Sequence, residues 1–273
     1  MQNNTDVTKD LNQQVALITG SSAGIGAACA LALAARGARV VINHRKSADA
    51  ADAVADACRK AGGEAQCVQA DVSRAEECAR LVEEAAAHWG RLDILVNNAG
   101  ATKFAAHDQL DALDSEDFHN LYALNAVGPY MVIRAARSHL ARQKGRIVNI
   151  SSIAGVRAVG SSLAYVASKA ALNGLTMGLA RALAADGIRV NALCPALVTT
   201  DWFRKALGDE LFEQVKAAQI AATPLKRVAS PEDVAEACVF FASDASRHIT
   251  GQLLLLDGGL ALGAPVSLSG GDT

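Results

Sequence analysis

Tyr165 and Lys169 stand four residues apart in the run Ala-Tyr-Val-Ala-Ser-Lys-Ala-Ala-Leu, which begins at Ala164 and is rich in helix formers. On a helix, residues at that spacing share one face. A free tyrosine titrates near about 10 and a lysine near about 10.4. A neighbouring ammonium favours the phenolate, so Lys169 is expected to lower the pKa of Tyr165. Tyr165 is then suited to give a proton to a substrate oxygen, or to take one, near neutral pH. Ser152 closes the segment Gly145-Arg-Ile-Val-Asn-Ile-Ser-Ser152. Arg146–Ser151 reads as a buried parallel strand. Ser152 therefore lies just past its carboxyl end, the edge where open α/β sheets bind ligands. Its hydroxyl is placed to hydrogen-bond the same oxygen. Taken alone, the Tyr–Lys spacing also describes an amphipathic helix with two surface residues.

A second stretch with chemistry precedes it. Gly20-Ser-Ser-Ala-Gly24-Ile-Gly26 sits between the strand Val15–Thr19 and the helical run Ala27–Arg36. Gly20 permits a tight turn, and Gly24 and Gly26 permit close backbone approach to a diphosphate and to the sheet. The helix start adds free N–H groups and the positive end of a dipole. This predicts a dinucleotide site. After the second strand, Ala38–Ile42, an acid usually holds the adenosine ribose. No acid stands between Asn43 and Lys46; Arg45 and Lys46 are there instead, and both can pair with a 2′-phosphate. NADP(H) is thus favoured, with NAD(H) possible and a plain solvated basic loop as the bland alternative. Asp71-Val72 ends the third strand where an adenine edge would lie. Asn97-Asn98-Ala99-Gly100 ends the fourth strand on the same edge. Asn125 falls where two helical runs of Ser115–Leu140 meet, just before Gly128-Pro129. A proline there implies a kink, and a kink frees backbone groups that, with Asn125, would help hold a water.

Composition limits the classes. The chain has 273 residues, 51% apolar and only 4% aromatic, with a formal charge of -2. That suits a buried parallel sheet covered by Ala-rich helices. No block of like charge points to nucleic acid or a membrane surface. The longest apolar run, Ile25–Ala35, falls well short of the roughly 18 residues that span a bilayer. The polar start, Met1–Gln14, reads as no signal peptide. Six cysteines lack metal-ligand spacing and any Cys-x-x-Cys pair. They are expected to be buried free thiols in a reducing cytoplasm, and no metal site is expected.

The elements that must position these residues alternate strand and helix along the whole chain. Further strands are expected at Ala65–Ala70, Leu92–Val96, Arg189–Cys194 and Leu253–Leu256. Helices are expected at Asp49–Ala61, from a capping box at Ser73-Arg-Ala-Glu76 to Trp89, and at Ala164–Ala185. Ser230-Pro-Glu-Asp233 supplies a cap, a first-turn proline and acids at a helix start. The expected fold is α/β: a single-domain, doubly wound, Rossmann-like parallel sheet of about seven strands, with helices on both faces. Residues 1–13 are expected to be a flexible leader, 14–263 the single domain, and 264–273 a tail. Asp201–Ala222 is longer than a plain crossover and reads as a substrate lid.

With these pieces in place, the chain resembles the short-chain dehydrogenase/reductase family from roughly Val15 to Gly259. The resemblance rests on Thr19-Gly20-Ser-Ser-Ala-Gly24-Ile-Gly26, Asp71, Asn97-Asn98-Ala99-Gly100, Asn125, Ser152, Tyr165-x-x-x-Lys169 and Thr200. It implies that Tyr165 is the general acid in reduction and the base in oxidation. Lys169 would lower its pKa and bind the nicotinamide ribose, Ser152 would orient the substrate, and Asn125 would anchor a relay water. Gly20, Ser22, Gly24 and Ile25 would hold the cofactor phosphates and adenosine ribose. Asp71 and Val72 would meet the adenine, and Asn98, Ala99 and Gly100 the ribose. Pro195, Val198 and Thr200 would meet the nicotinamide end. A homotetramer is implied too.

Two departures stand out. Pro195-Ala196 replaces the family's usual Pro-Gly, and the glycine loop lacks a basic residue. Asp201-Trp202 and Thr223-Pro-Leu-Lys-Arg227 look like 3-oxoacyl-acyl-carrier-protein reductases, whereas Val40-Val-Ile-Asn-His-Arg45 is similar to glucose dehydrogenases. The expected activity is hydride transfer between NADP(H) and a small-molecule carbonyl or secondary alcohol. The alternatives are an NAD(P)-dependent sugar or alcohol dehydrogenase and, in a different class, a non-catalytic cofactor-binding sensor or scaffold.

Overall fold

The structure, a computed structural model, describes residues 9–263. The expected tail, and the first eight residues of the expected leader, lie outside the described residues. The elements run β1 (Val15–Ile18), α1 (Gly24–Ala35), β2 (Arg39–His44), α2 (Ala48–Lys60), β3 (Glu64–Gln69), α3 (Ala75–Trp89), β4 (Ile94–Asn97), α4 (Ser115–Tyr122) and α5 (Gly128–Gln143). Then follow β5 (Arg146–Ile150), α6 (Ala154–Arg157), α7 (Leu163–Ala182), β6 (Arg189–Pro195), α8 (Asp201–Leu207), α9 (Asp209–Ala222), α10 (Pro231–Ala242) and β7 (Leu253–Leu256). The strands form one parallel sheet in the order β3-β2-β1-β4-β5-β6-β7. Strand order reverses between β1 and β4, which opens a crevice at their carboxyl ends.

Alternation along the central strand explains the two layers. Successive side chains of a strand point to opposite faces. Ala16 and Ile18 join the core under α1 and α10, with Leu33, Val234 and Val239. Val15 and Leu17 join the core under α3 and α5, with Leu81 and Val132. All four β1 residues are fully buried. The small residues Cys29, Ala30 and Ala34 let α1 lie close to α10.

Four local expectations change. Ser73 and Glu76 form no capping box. Instead the Ser73 hydroxyl and N–H both donate to Asp71 Oδ1, at 2.7 and 3.0 Å, and α3 begins after Arg74. The carboxylate two residues earlier outcompetes the helix for the serine. The break in the α4–α5 run is not a proline kink. It is a π-turn over Ala123–Val127, and Pro129 simply occupies the first turn of α5. The segment expected to be a lid is two helices, α8 and α9, divided at Gly208. Finally, residues 9–13 pack onto the domain. Leu11 is 1% exposed, its N–H donates to Arg36 O at 3.1 Å, and Arg36 pairs with Asp10 at 2.8 Å. The Ser230–Asp233 capping box forms as expected.

Candidate active site

Ser162 caps α7 by accepting a hydrogen bond from the Tyr165 N–H at 3.2 Å, which fixes where the helix starts and so which way its first turn faces. Tyr165 and Lys169 then fall on the same face. Ser152 reaches them because α6 lies directly on α7. A Cβ at Gly155 would meet the carbonyl carbon and oxygen of Lys169 at 2.5 and 2.6 Å, so only glycine permits this approach. The Ser152 hydroxyl accepts from the Ala154 N–H at 3.1 Å and donates to Pro195 O at 3.5 Å.

The phenol and the ammonium are tuned differently from the sequence expectation. Burial pushes Tyr165 up to about 12, only partly offset by hydrogen bonding with Ser152. Lys169 contributes no lowering. Its Nζ lies 5.8 Å from the Tyr165 ring centroid and donates to Ile150 O at 2.9 Å. Burial in turn brings Lys169 down to about 8, with the nearby Cys194 opposing. In this geometry Tyr165 therefore holds its proton throughout the physiological range. The ammonium charge is spent on a strand carbonyl rather than on the phenol.

Asn125 is fully buried behind this pair. Its amide is completely engaged. Oδ1 accepts from the Ala101 N–H at 2.9 Å, and Nδ2 donates to Ala101 O and Ser168 Oγ, each at 2.9 Å. The Asn125 side chain is thus a structural clamp between α7 and the loop after β4. Gly100 completes the cluster, within 4 Å of both Asn125 Oδ1 and Lys169 Nζ through the position a Cβ would take.

The glycine loop is woven into three strand ends. Gly20 N–H donates to Asn43 Oδ1 at 3.0 Å, and Asn98 Nδ2 donates to Thr19 O and Gly20 O at 3.0 and 2.9 Å. Thr19 Oγ1 accepts from the N–H groups of Asn98 and Ala99. A Cβ at Gly26 would lie 2.5 Å from Asn98 Nδ2 and 2.7 Å from Gly20 O. This packing brings the start of α1 against the turn after β4. The first turn of α1 carries no acid, and Ala23 supplies no side-chain cap. Its N–H groups are thus free for an anion, which fits a dinucleotide diphosphate. Ser22, Gly24 and Ile25 occupy this rim. Arg45 stands at the end of β2 with its guanidinium 3.6 Å from Asp71 at the end of β3. Burial works against the Asp71 charge, but hydrogen bonds from Ser73 with Arg45 and Arg74 nearby hold its carboxyl below the usual range.

Sequence reasoning overlooked Asn43 and Ser168. Asn43 is 2% exposed and joins the glycine loop to Val68 O and Ala70 O. An amide at the end of an otherwise apolar strand, Val40-Val-Ile-Asn43, was the available signal. Ser168 links Asn125 to Tyr165 O.

A cavity of about 680 Å³ adjoins Ser152 and Tyr165. Ile25, Pro195, Val198 and Thr200 line its cofactor side, with Ala196 among them. Trp202, Phe203 and Val215 of the lid line the other side. Arg45, Asp71 and Val72 lie outside it, at the expected adenosine end. Among the described residues no helix is long and apolar enough to cross a membrane, and no cluster of His, Cys, Asp or Glu could hold a metal.

Residues 20–261 match the family model described as enoyl-(acyl carrier protein) reductase. A 3-oxoacyl-[acyl-carrier-protein] reductase of Synechocystis is 39% identical, the match covering 92% of this chain and 98% of that protein. A short-chain dehydrogenase/reductase structure from Burkholderia xenovorans superposes with a TM-score of 0.84 at 39% identity, covering 92% of this chain and 99% of the other. A 7α-hydroxysteroid dehydrogenase, solved with NADH and 7-oxo glycochenodeoxycholic acid, gives a TM-score of 0.84 at 32% identity, with 93% and 96% covered. The parallel sheet, the glycine loop and the coverage of nearly the whole chain agree: this protein belongs to the short-chain dehydrogenase/reductase family and is an oxidoreductase.

Proposed function

We propose that the protein reduces a ketone to a secondary alcohol with NADP(H), Tyr165 acting as the proton donor. The observation that carries this is the placing of Tyr165 beside Ser152 on the wall of one cavity, which Ile25, Pro195 and Thr200 also line. When bound, the nicotinamide supplies the hydride. Ser152 holds the substrate oxygen by hydrogen bonding. Tyr165 releases its proton to that oxygen as negative charge develops there, its hydrogen bond with Ser152 easing the phenolate left behind, and Lys169 would hold the nicotinamide ribose. Cofactor would be held by Gly20, Ser22, Gly24 and Ile25 along the diphosphate, by Asn98, Ala99 and Gly100 beside the ribose, and by Pro195, Val198 and Thr200 at the nicotinamide end. Arg45 would meet a 2′-phosphate. No acid stands between Asn43 and Lys46, although Asp71, 3.6 Å from the Arg45 guanidinium, would share Arg45 with such a phosphate.

Tyr165→Phe is expected to bind NADPH as wild type does while turnover falls about 100- to 10,000-fold. Undiminished turnover by the variant overturns the assignment. Titration with NADPH and NADH tests the cofactor: NADPH is expected to bind more tightly, and Arg45→Ala to remove most of the difference. The Synechocystis relative makes a 3-oxoacyl thioester a candidate substrate, and the steroid dehydrogenase makes a ring ketone another. The buried free cysteines fit a reducing cytoplasm. A homotetramer is supported by the apolar surface of Phe118, Tyr122 and Met177 on α4 and α7. Light scattering checks it, and a monomer at micromolar concentration refutes it.

A further inference from the structure

Two nitrogen atoms beside the cavity have no explanation in the scheme above. His107 Nε2, on the loop after β4, and Gln219 Nε2, on lid helix α9, are both shielded from solvent and have no hydrogen-bond partner. Both residues line the cavity that holds Ser152 and Tyr165. A buried donor without an acceptor carries a free-energy penalty and is uncommon in folded proteins. Buried atoms of His44, Gln66, Asn97 and Asn173 also lack partners, but none of those residues lines the cavity, so these two are the ones a substrate could reach.

The wall around them has a definite character. Phe104 packs edge-to-face on Phe203 at 5.9 Å, and Trp202 packs edge-to-face on Phe203 at 5.1 Å. This triad joins the loop after β4 to the lid. Trp202 and Phe104 remain exposed, at 42% and 37%. Aromatic faces of this kind favour flat, apolar ring systems. The lid itself is free to adjust. Among its residues only Phe212 is buried, and Gly208 divides it in a backbone conformation with positive φ and nothing packed on it.

We propose that His107 and Gln219 are specificity-determining residues that recognise a second oxygen on the substrate, remote from the reacting carbonyl, and that the substrate is a fused-ring or aryl ketone carrying such an oxygen. The Gln219 amide donates to that oxygen. His107 donates from Nε2 in the tautomer that protonates it. Ring atoms between the two oxygens lie against Phe104, Trp202 and Phe203. Such a ligand satisfies both orphan donors at once, and a plain ketone satisfies neither. A site built to hydrogen-bond a substrate group discriminates strongly against the analogue that lacks it.

This inference rests on the ketone-reductase reading, and the test separates the two. NADPH-linked reduction is measured with 1-tetralone, 6-hydroxy-1-tetralone and an acyclic ketone, for wild type, Gln219→Met and His107→Leu. Wild type is expected to favour the hydroxylated ring ketone over 1-tetralone by about tenfold or more in kcat/KM. Either variant is expected to collapse that ratio towards one, through KM rather than kcat. Gln219→Met, which keeps the volume and removes the orphan amide, is expected to leave the thermal midpoint of the ligand-free protein unchanged or raise it. A wild-type ratio near one overturns the inference, as does a variant that lowers both tetralones equally with a lowered midpoint, the pattern of a merely structural side chain. Reduction of the acyclic ketone without either tetralone also overturns it while leaving the ketone-reductase reading in place. Failure on every carbonyl tested defeats both.

Discussion

The glycine loop and the lid face each other across one cavity, yet they are built on opposite principles. The loop is short and has almost no freedom. Asn43, Asn98 and Thr19 tie it to three strand ends, and Gly20 and Gly26 are hemmed in by atoms at less than 3 Å from any added Cβ. The lid spans two helices and has one buried anchor, Phe212. An edge-to-face contact of Phe203 with Phe104 joins it to the loop after β4, and its two helices are tied to each other by exposed ion pairs of Arg204 with Asp209 and Glu213 at 2.7 and 2.8 Å, which are weak and screened by salt. The part proposed to bind the cofactor is fixed by hydrogen bonds to the sheet. The part proposed to meet the substrate has one buried anchor.

That contrast predicts where substitution matters. The largest effect is expected from Gly26→Ala. Its methyl would collide with Asn98 Nδ2 and Gly20 O, so the loop must shift as a unit. NADPH affinity should fall about tenfold or more, with stability lower by about 1–3 kcal/mol from overpacking. Calorimetric titration and thermal melts would read both, and wild-type affinity would show that the loop is softer than described. A middle-sized effect is expected from Lys169. Its folded pKa, about 8, lies below its ordinary value of 10.5. The unfolded chain therefore holds the extra proton between those values, and stability from this group rises as pH climbs from about 8 to 10.5. Lys169→Met should lose that rise as well as turnover. Denaturant midpoints across this window decide, and parallel slopes for variant and wild type would contradict the depressed pKa. The smallest effect is expected from Gly208→Ala. The site has open space, so the cost is conformational, about 1–3 kcal/mol, and falls on the lid's local order. KM should rise a few-fold with cofactor affinity and the global midpoint little changed. A large drop in the midpoint would mean that the lid is part of the cooperative core.

Much of the rigid half is legible in the sequence because its signals are local. A strand, a glycine turn and a helix follow one another within residues 15–35, and the spacing of Tyr165 and Lys169 survives unaltered on α7. What escapes is competition between partners distant in space or mutually exclusive. Ser73 reads as a cap until Asp71 is seen to take its hydroxyl. Lys169 reads as the activator of Tyr165 until Ile150 O is found to hold its ammonium. Asn125 reads as a water holder, whereas its amide is consumed by Ala101 and Ser168. His107, which no spacing in the sequence singles out, stands on the cavity wall. The lid carries the weakest pattern of all, since neither Gly208 nor Gln219 announces a role through periodicity.

The contact between Gly155 and the backbone of Lys169 has a consequence for how this enzyme can diverge. The separation of Ser152 from Tyr165 is metered by a residue that touches no substrate and carries no functional group. Any heavier residue there would act as a wedge between α6 and α7, moving Ser152 and its stretch of the cavity wall away from Tyr165 while the glycine loop, tied to other strands, kept its shape. Proton transfer depends steeply on such gaps, far more so than ligand binding does. A single hydrogen atom at position 155 thus works as the gauge block of the active site, and drift there would turn an oxidoreductase into a binder before it disturbed the fold.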